Sequence, residues 1–489
     1  MNSNHLPKPH RRQFIIGPSP LSIHENWQYR SLNNGWISYC PELRISWSKD
    51  RNGIEWGLIG LAVETRSAID PKEQISQATT AQVIHRYASW AGRWLLVGNR
   101  EIHLDANGLL GCFYGMQSAD WVSSSPALIS QALKTAAKDE RCLKYGQGIS
   151  WYTPPYSGFK QINRLLPSQI LNFTTGEISP RPLMPKIDQS NVKQTITLVK
   201  ETLVTALQNL GTQQQPLWLG LTAGYDSRLM LAIARQANIK FTTFTRVAER
   251  MSVADRILPP KLAKQCQVPH LFLRHKPPPE QLARKQLVQQ HCASHVSPGD
   301  AEPFVMRVRE GLAGISFGGH GWAIASGFHT LRQLPKNFAS PHEGALQIAK
   351  LFNEPAHSSA VAGMMTWLTW VQSHPQPDLD WRDRFFLEQR QAGWLSSKEQ
   401  VYDLTSLTRF PILNAARTYA LLLSIPEAQR LGSLVQIALL EQLAPELLTY
   451  PFNPPDDSFP RWLKVAVKMR DRPQYLSWWI KQKLSFAKC

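Results

Sequence analysis

Leu219-Gly220-Leu221-Thr222-Ala223-Gly224-Tyr225-Asp226-Ser227-Arg228 is the stretch that decides the reading of this chain. It grows out of a short apolar run starting at Leu217 and leads into a helical pattern from Ser227 to Ala237. A buried strand that turns through small residues into a helix lets main-chain N–H groups approach a ligand closely. The helix start adds its own free donors and partial positive charge, so the turn reads as a phosphate cradle. It is not a Walker loop, since the sequence holds no Gly-Lys pair, and it lacks the G-x-G-x-x-G of a dinucleotide site. The plain alternative is an ordinary turn in which Ser or Asp caps the helix.

Around this stretch the pattern alternates between strand and helix. Val192, Ile196, Val199, Leu203, Ala206 and Leu210 mark an amphipathic helix before it. After it come a strand at Phe241 to Thr245, a helix ending near Cys266 and a strand at Leu271 to Leu273. Pro259-Pro260 are expected to start that helix rather than to lie inside it. Such alternation implies a parallel sheet with crossover helices, and from about Pro341 the chain reads as mainly helical. Upstream, residues 14 to 175 read as strand after strand, in runs such as Ile54 to Val63 and Arg93 to Leu104. A short helix is expected after Ser125-Pro126. The proline-rich Ser179 to Pro185 suits a linker. The expected fold class is therefore an α+β, antiparallel β-sandwich-like domain (1–180) followed by an α/β parallel-sheet domain with a helical C-terminal part (190–455) and a basic aromatic tail (456–489).

The 489 residues exceed a single small module, and 43% hydrophobic content excludes a disordered chain. Fifty-four Lys and Arg against 36 Asp and Glu leave a formal +18, which favours anionic partners without choosing among them. Six dispersed cysteines, with no C-x-x-C, exclude a zinc ribbon and make a disulfide scaffold unexpected. Arg11-Arg12 before Phe14-Ile15-Ile16 is a weak echo of a twin-arginine signal, but Pro18 and Pro20 cut the apolar run short. A cytoplasmic location is expected.

The loop resembles the S-G-G-x-D-S loop of PP-loop pyrophosphatases, with Thr222 for Ser, Ala223 for the first Gly, and Gly224, Asp226 and Ser227 in place. Trp90 to Val97, His103 to Gly108, Ile162 to Pro167 and Arg409-Phe410-Pro411-Ile412-Leu413-Asn414 make the whole chain similar to the asparagine-synthetase family. That family joins a glutaminase-like β domain to a PP-loop (adenine nucleotide α-hydrolase-like) synthetase domain. The resemblance implies ATP and Mg²⁺, a small-molecule or peptide carboxylate activated by adenylation with release of pyrophosphate, and an amine that closes an amide. It assigns the phosphates to Thr222, Gly224 and Ser227, the metal and the catalytic role to Asp226, and nucleotide contacts to Leu219, Thr245 and Gly319.

Three departures qualify it. The family's glutaminase uses a cysteine as the first residue of the mature chain, whereas this sequence opens Met1-Asn2-Ser3 and its first cysteine is Cys40. Glutamine hydrolysis by that route is not expected. The family's G-x-G-x-D-E segment corresponds to Gly319-His320-Gly321-Trp322-Ala323-Ile324, with both acids missing, and Asp300 and Glu302 are candidate substitutes. Asn414 stands where the family has Asp. The departures keep a second reading open, a catalytically silent binding or scaffold protein, and a third, a PP-loop enzyme acting on tRNA, although no firm sign of nucleic-acid binding is present. Gly314-Ile315-Ser316-Phe317-Gly318 fits the G-x-S-x-G elbow of serine hydrolases, against a glycine-rich loop at the nucleotide pocket. Arg461 to Lys483 could contact an anionic membrane or polyanion, or pack its aromatic side on the domain.

Overall fold

The computed structural model describes residues 7–116, 120–134, 142–144, 150–187, 191–247, 251–274, 281–292, 312–326 and 329–471. Asp300, Glu302, the opening Met1-Asn2-Ser3 and the tail beyond 471 lie outside the described residues.

The first half holds two six-stranded antiparallel sheets. One has the order 162–164, 113–115, 122–123, 14–17, 35–39, 28–32, and the other 178–180, 169–172, 101–104, 90–98, 55–64, 45–49. Phe14, Ile16 and Ile37 of the first sheet meet Ile59, Leu95, Val97 and Ile102 of the second in one buried cluster, which makes the pair a sandwich. Helices Pro71–Ser76 and Thr80–Arg86 cover Trp56, Trp90 and Trp94 on the outer side of the second sheet. Helix Pro126–Ala132, capped by Ser125 as its sequence suggests, covers the first. The run Arg93 to Leu104 is two strands, because Asn99 and Arg100 both take positive φ and form a tight hairpin.

The second half is built on a parallel sheet ordered 270–274, 242–247, 217–220, 314–318, 407–411. Leu217–Gly220 is central. Helices Val192–Gly211 and Tyr225–Gln236 bury Val199, Leu203, Leu229 and Ile233 with Leu217, Leu219, Ile315 and Phe317. The parallel alternation expected from sequence is therefore present. Two details differ. Helix Val253–Gln265 starts at the Ser252 cap and carries Pro259 and Pro260 inside it. The prolines remove the N–H groups that would reach the carbonyls of Asp255 and Arg256, and burial of Leu258, Leu262 and Ala263 holds the helix together regardless. Gly314–Gly318 is a strand throughout, so Ser316 lies in mid-strand, 1% exposed and bonded to Arg409 at 3.0 Å. It is neither a nucleophile elbow nor a loop.

The sequence boundary near residue 180 is not a boundary in packing. Trp151 and Leu166 sit in the core of the helical part, among Ile348, Met364, Trp367 and Phe385. Arg93 makes a bidentate ion pair with Asp403, both bonds 2.7 Å and both groups buried. Glu388, at 0% exposure, accepts from the Ser168 amide and hydroxyl, Trp367 Nε1 and Arg384 Nε. Glu388 belongs to a π-helical segment, Phe386–Leu395, that follows the buried, charged turn Trp381–Phe385. Cys40, Cys112, Cys266 and Cys292 are buried and form no disulfide with one another. Among the described residues no helix is long and apolar enough to cross a membrane. In the helix Arg461–Asp471, Trp462 is 69% exposed, so this aromatic side chain does not pack on the domain.

Candidate functional site

The turn Thr222 to Ser227 leaves the carboxyl end of the central strand, where the sheet order reverses between Leu217–Gly220 and Gly314–Gly318. Open parallel sheets place their ligands at that switch point. Gly224 is the N-cap of the following helix and contributes no side chain, so the leading N–H groups of Tyr225, Asp226 and Ser227 remain uncapped. Gly319, just past the neighbouring strand, lies against this helix start. A Cβ there would come within 2.8 Å of the Asp226 Cβ and 3.1 Å of its carbonyl carbon, so the approach requires glycine.

The turn itself is internally bonded. Thr222 N donates to Ser227 Oγ at 3.0 Å, Ala223 N to Asp255 Oδ1 at 2.7 Å and Gly224 N to Thr222 Oγ1 at 3.3 Å. The amides that the resemblance assigns to phosphate at Thr222 and Gly224 are thus held by the protein, and the open donors begin at Tyr225. Leu219 is 0% exposed in the core and Thr245 donates its hydroxyl to Leu221 O at 2.7 Å, so both side chains are covered. The structure brings Asp226, Ser227 and Gly319 together and turns Leu219 and Thr245 inward. Asp226 is partly exposed. Burial pushes its carboxyl up to about 6, against the pull of a hydrogen bond with Gln436.

Arg228 holds the turn from behind. Completely buried, it donates to the carbonyls of Ala223, Leu447, Tyr450 and Pro451 at 2.7–3.0 Å and lies 3.9 Å over the Phe452 ring. Phe452 also stacks on Tyr225 at 3.8 Å, and Asn453 N donates to Ala223 O. The segment from Leu447 to Asn453 therefore clasps the turn. Arg228 follows Ser227 directly in sequence, but its partners beyond Ala223 lie more than two hundred positions away, and nothing in the local pattern announces them.

A cationic cluster flanks Gly319. Arg409 donates to His320 Nδ1 at 3.1 Å and to Ser316, and pairs with Glu399 at 3.3 Å. Arg246 donates to the Tyr402 hydroxyl and lies over the Phe244 and Tyr402 rings. His320 is exposed at the surface. Desolvation by the surrounding protein, then the nearby charges of Arg409, Lys398 and Arg246, hold its imidazole below the usual histidine range. These basic groups come from distant segments, and only the fold brings Arg246 beside Arg409 and His320.

Asn414 has a structural partner. Its Nδ2 donates to Asp105 Oδ1 at 2.8 Å and to Gly92 O, in a completely buried contact between the two halves. For Mg²⁺, Asp226 stands in the first turn of the helix and Asp255 against the turn before it, and an ion carried on substrate phosphates needs only one or two protein carboxylates. Among the described residues no group of three His, Cys, Asp or Glu could hold a metal by itself. Neither protein-family models nor curated proteins give a match to this sequence.

Proposed function

We propose that the chain is an ATP-dependent, AMP-forming amide ligase of asparagine-synthetase type that has no glutaminase activity. The observation that carries this reading is the uncapped helix start of Tyr225, Asp226 and Ser227 at the switch point of the parallel sheet, with Gly319 closing the crevice beside it. Bound there, ATP supplies activation of a carboxylate by adenylation, with pyrophosphate as leaving group. The helix amides hold the phosphates. Asp226 docks the Mg²⁺ that travels with them and is mostly ionised at pH 7. Arg246, Arg409 and Lys398 draw the anionic acid towards Gly319 and offset the charge that grows on the leaving group. His320, accepting from Arg409 at Nδ1, positions that guanidinium.

A second reading is favoured by one observation: the internal bonds of the Thr222, Ala223 and Gly224 amides leave the loop less able to grip a triphosphate. It is a catalytically silent relative that binds without turnover. The two separate when purified protein is given ATP, Mg²⁺ and a panel of acids and amines. The ligase releases pyrophosphate and AMP, and Asp226→Ala does not. A protein that binds ATP in a calorimeter but never yields AMP is the silent relative, and one that binds no ATP at millimolar concentration ends the ligase proposal.

A further inference from the structure

A cavity of about 370 Å³ lies between the sandwich and the amino-terminal edge of the parallel sheet. Pro216, which directly precedes the central strand, and Gly314, which opens the next, form part of its wall. The phosphate turn leaves the opposite edge and lies outside this cavity, and Arg409 borders both this wall and the cluster beside Gly319.

Arg12, Arg44, Arg93 and Arg409 line the cavity against Glu42 and Asp403, leaving two positive charges in excess. Pairing identifies which two. Arg93 is bound to Asp403 and Arg409 to Glu399, while Glu42 is held by Arg11. Arg12 donates one bond, to Leu407 O at 2.8 Å, and Arg44 one, to Gln213 Oε1 at 2.7 Å. Among the described residues neither makes an ion pair, although the charges of Asp403 and Glu42 both reach Arg12. Each guanidinium carries five N–H donors in a planar fork. Loss of water pushes both below the usual arginine range, and for Arg12 the charge of Asp403 opposes that shift. The backbone that delivers Arg12 is also unusual: His10 and Arg12 both sit in the left-handed region, at φ 61° and 55°. Non-glycine residues hold that conformation where the surroundings over-determine it, commonly at ligand clamps.

We propose that this interdomain cavity binds a small dianion bearing a carboxylate or phosphate group, clamped by the forks of Arg12 and Arg44. The fork matches both anions bidentately, and a junction between two packed halves is a common place for a small-molecule site. The site is independent of the ligase reading.

The test is calorimetric titration of the full chain with inorganic phosphate and, separately, with succinate. At least one binds with Kd below about 1 mM, and Arg12→Gln and Arg44→Gln each weaken it about tenfold or more. Arg30→Gln, on the sandwich surface beside Glu55, leaves it unchanged. Phosphate alone assigns a phosphate ligand, and succinate alone a dicarboxylate. The proposal is overturned if neither binds at about 10 mM, or if binding survives both variants, as it would for an anion held at the start of helix Tyr225–Gln236. Should Arg12→Gln melt early by circular dichroism, Arg44→Gln decides alone.

Discussion

Asn414 Nδ2 lies 2.8 Å from Asp105 Oδ1, and both side chains are completely buried. Asp105 also accepts from the amides of Trp94, Asn107 and Leu109, and burial still pushes its carboxyl up. The amide at 414 gives this acid a donor where an acid would give it a second negative charge. The departure from the family pattern is thus matched by a partner in the other half of the chain.

Asn414→Asp therefore sets two carboxylates against each other without water. The expected loss is on the order of 3 kcal/mol at pH 8, and less at pH 5, where the pair shares a proton. Thermal melting at the two pH values checks both the size and the sign.

Asp226 yields a second pH prediction. Its folded pKa of about 6 lies above the usual carboxylate value, so stability is fully present below about pH 4 and declines as pH rises towards 6. Asp226→Asn removes that decline. It should raise stability by about 1–2 kcal/mol at pH 8, allowing for partial exposure, and change little at pH 4. Urea unfolding across that range measures it. Under the ligase reading the same variant abolishes AMP formation.

Asp255 accepts the Ala223 amide, which places a carboxylate beside the proposed phosphate position. Asp255→Asn keeps the acceptor and removes the charge. ATP affinity should rise about threefold to tenfold if the nucleotide sits at the Tyr225 helix start, read by calorimetry. An unchanged affinity would place the phosphates elsewhere.

Glu388→Gln leaves the Arg384 charge uncompensated and turns an NH₂ group towards donors. A cost of about 3–5 kcal/mol is expected, with partial recovery when Arg384→Met is added. Chemical denaturation of the single and double variants gives both numbers.

Much of this was legible in the chain. The strand, turn and helix around Thr222 follow from a short apolar run, small residues and a periodic helix, all of them local signals. Gly314-Ile315-Ser316-Phe317-Gly318 was not, because five residues flanked by glycine fit strand and loop equally well until Leu217 and Leu407 pair on either side. Pro259 and Pro260 misled because tertiary burial outweighs two missing hydrogen bonds. The cationic cluster was invisible, since Arg246, His320 and Arg409 meet only once strands far apart in sequence are laid side by side. The same holds for the Arg228 clasp, whose acceptors are carbonyls and carry no side-chain signature.

The interlocked interior has a practical corollary for anyone dissecting the gene. Cutting the polypeptide near residue 185 would strip Arg93 from Asp403, Ser168 from Glu388 and Trp151 from its helical surroundings in a single stroke. Each fragment would then carry orphaned charges beside raw apolar surface, the recipe for inclusion bodies. Co-expressing the two fragments should restore solubility, whereas mixing them after separate expression should not. Whatever chemistry the first 180 residues have kept or lost, they serve as a scaffold that the second half cannot shed.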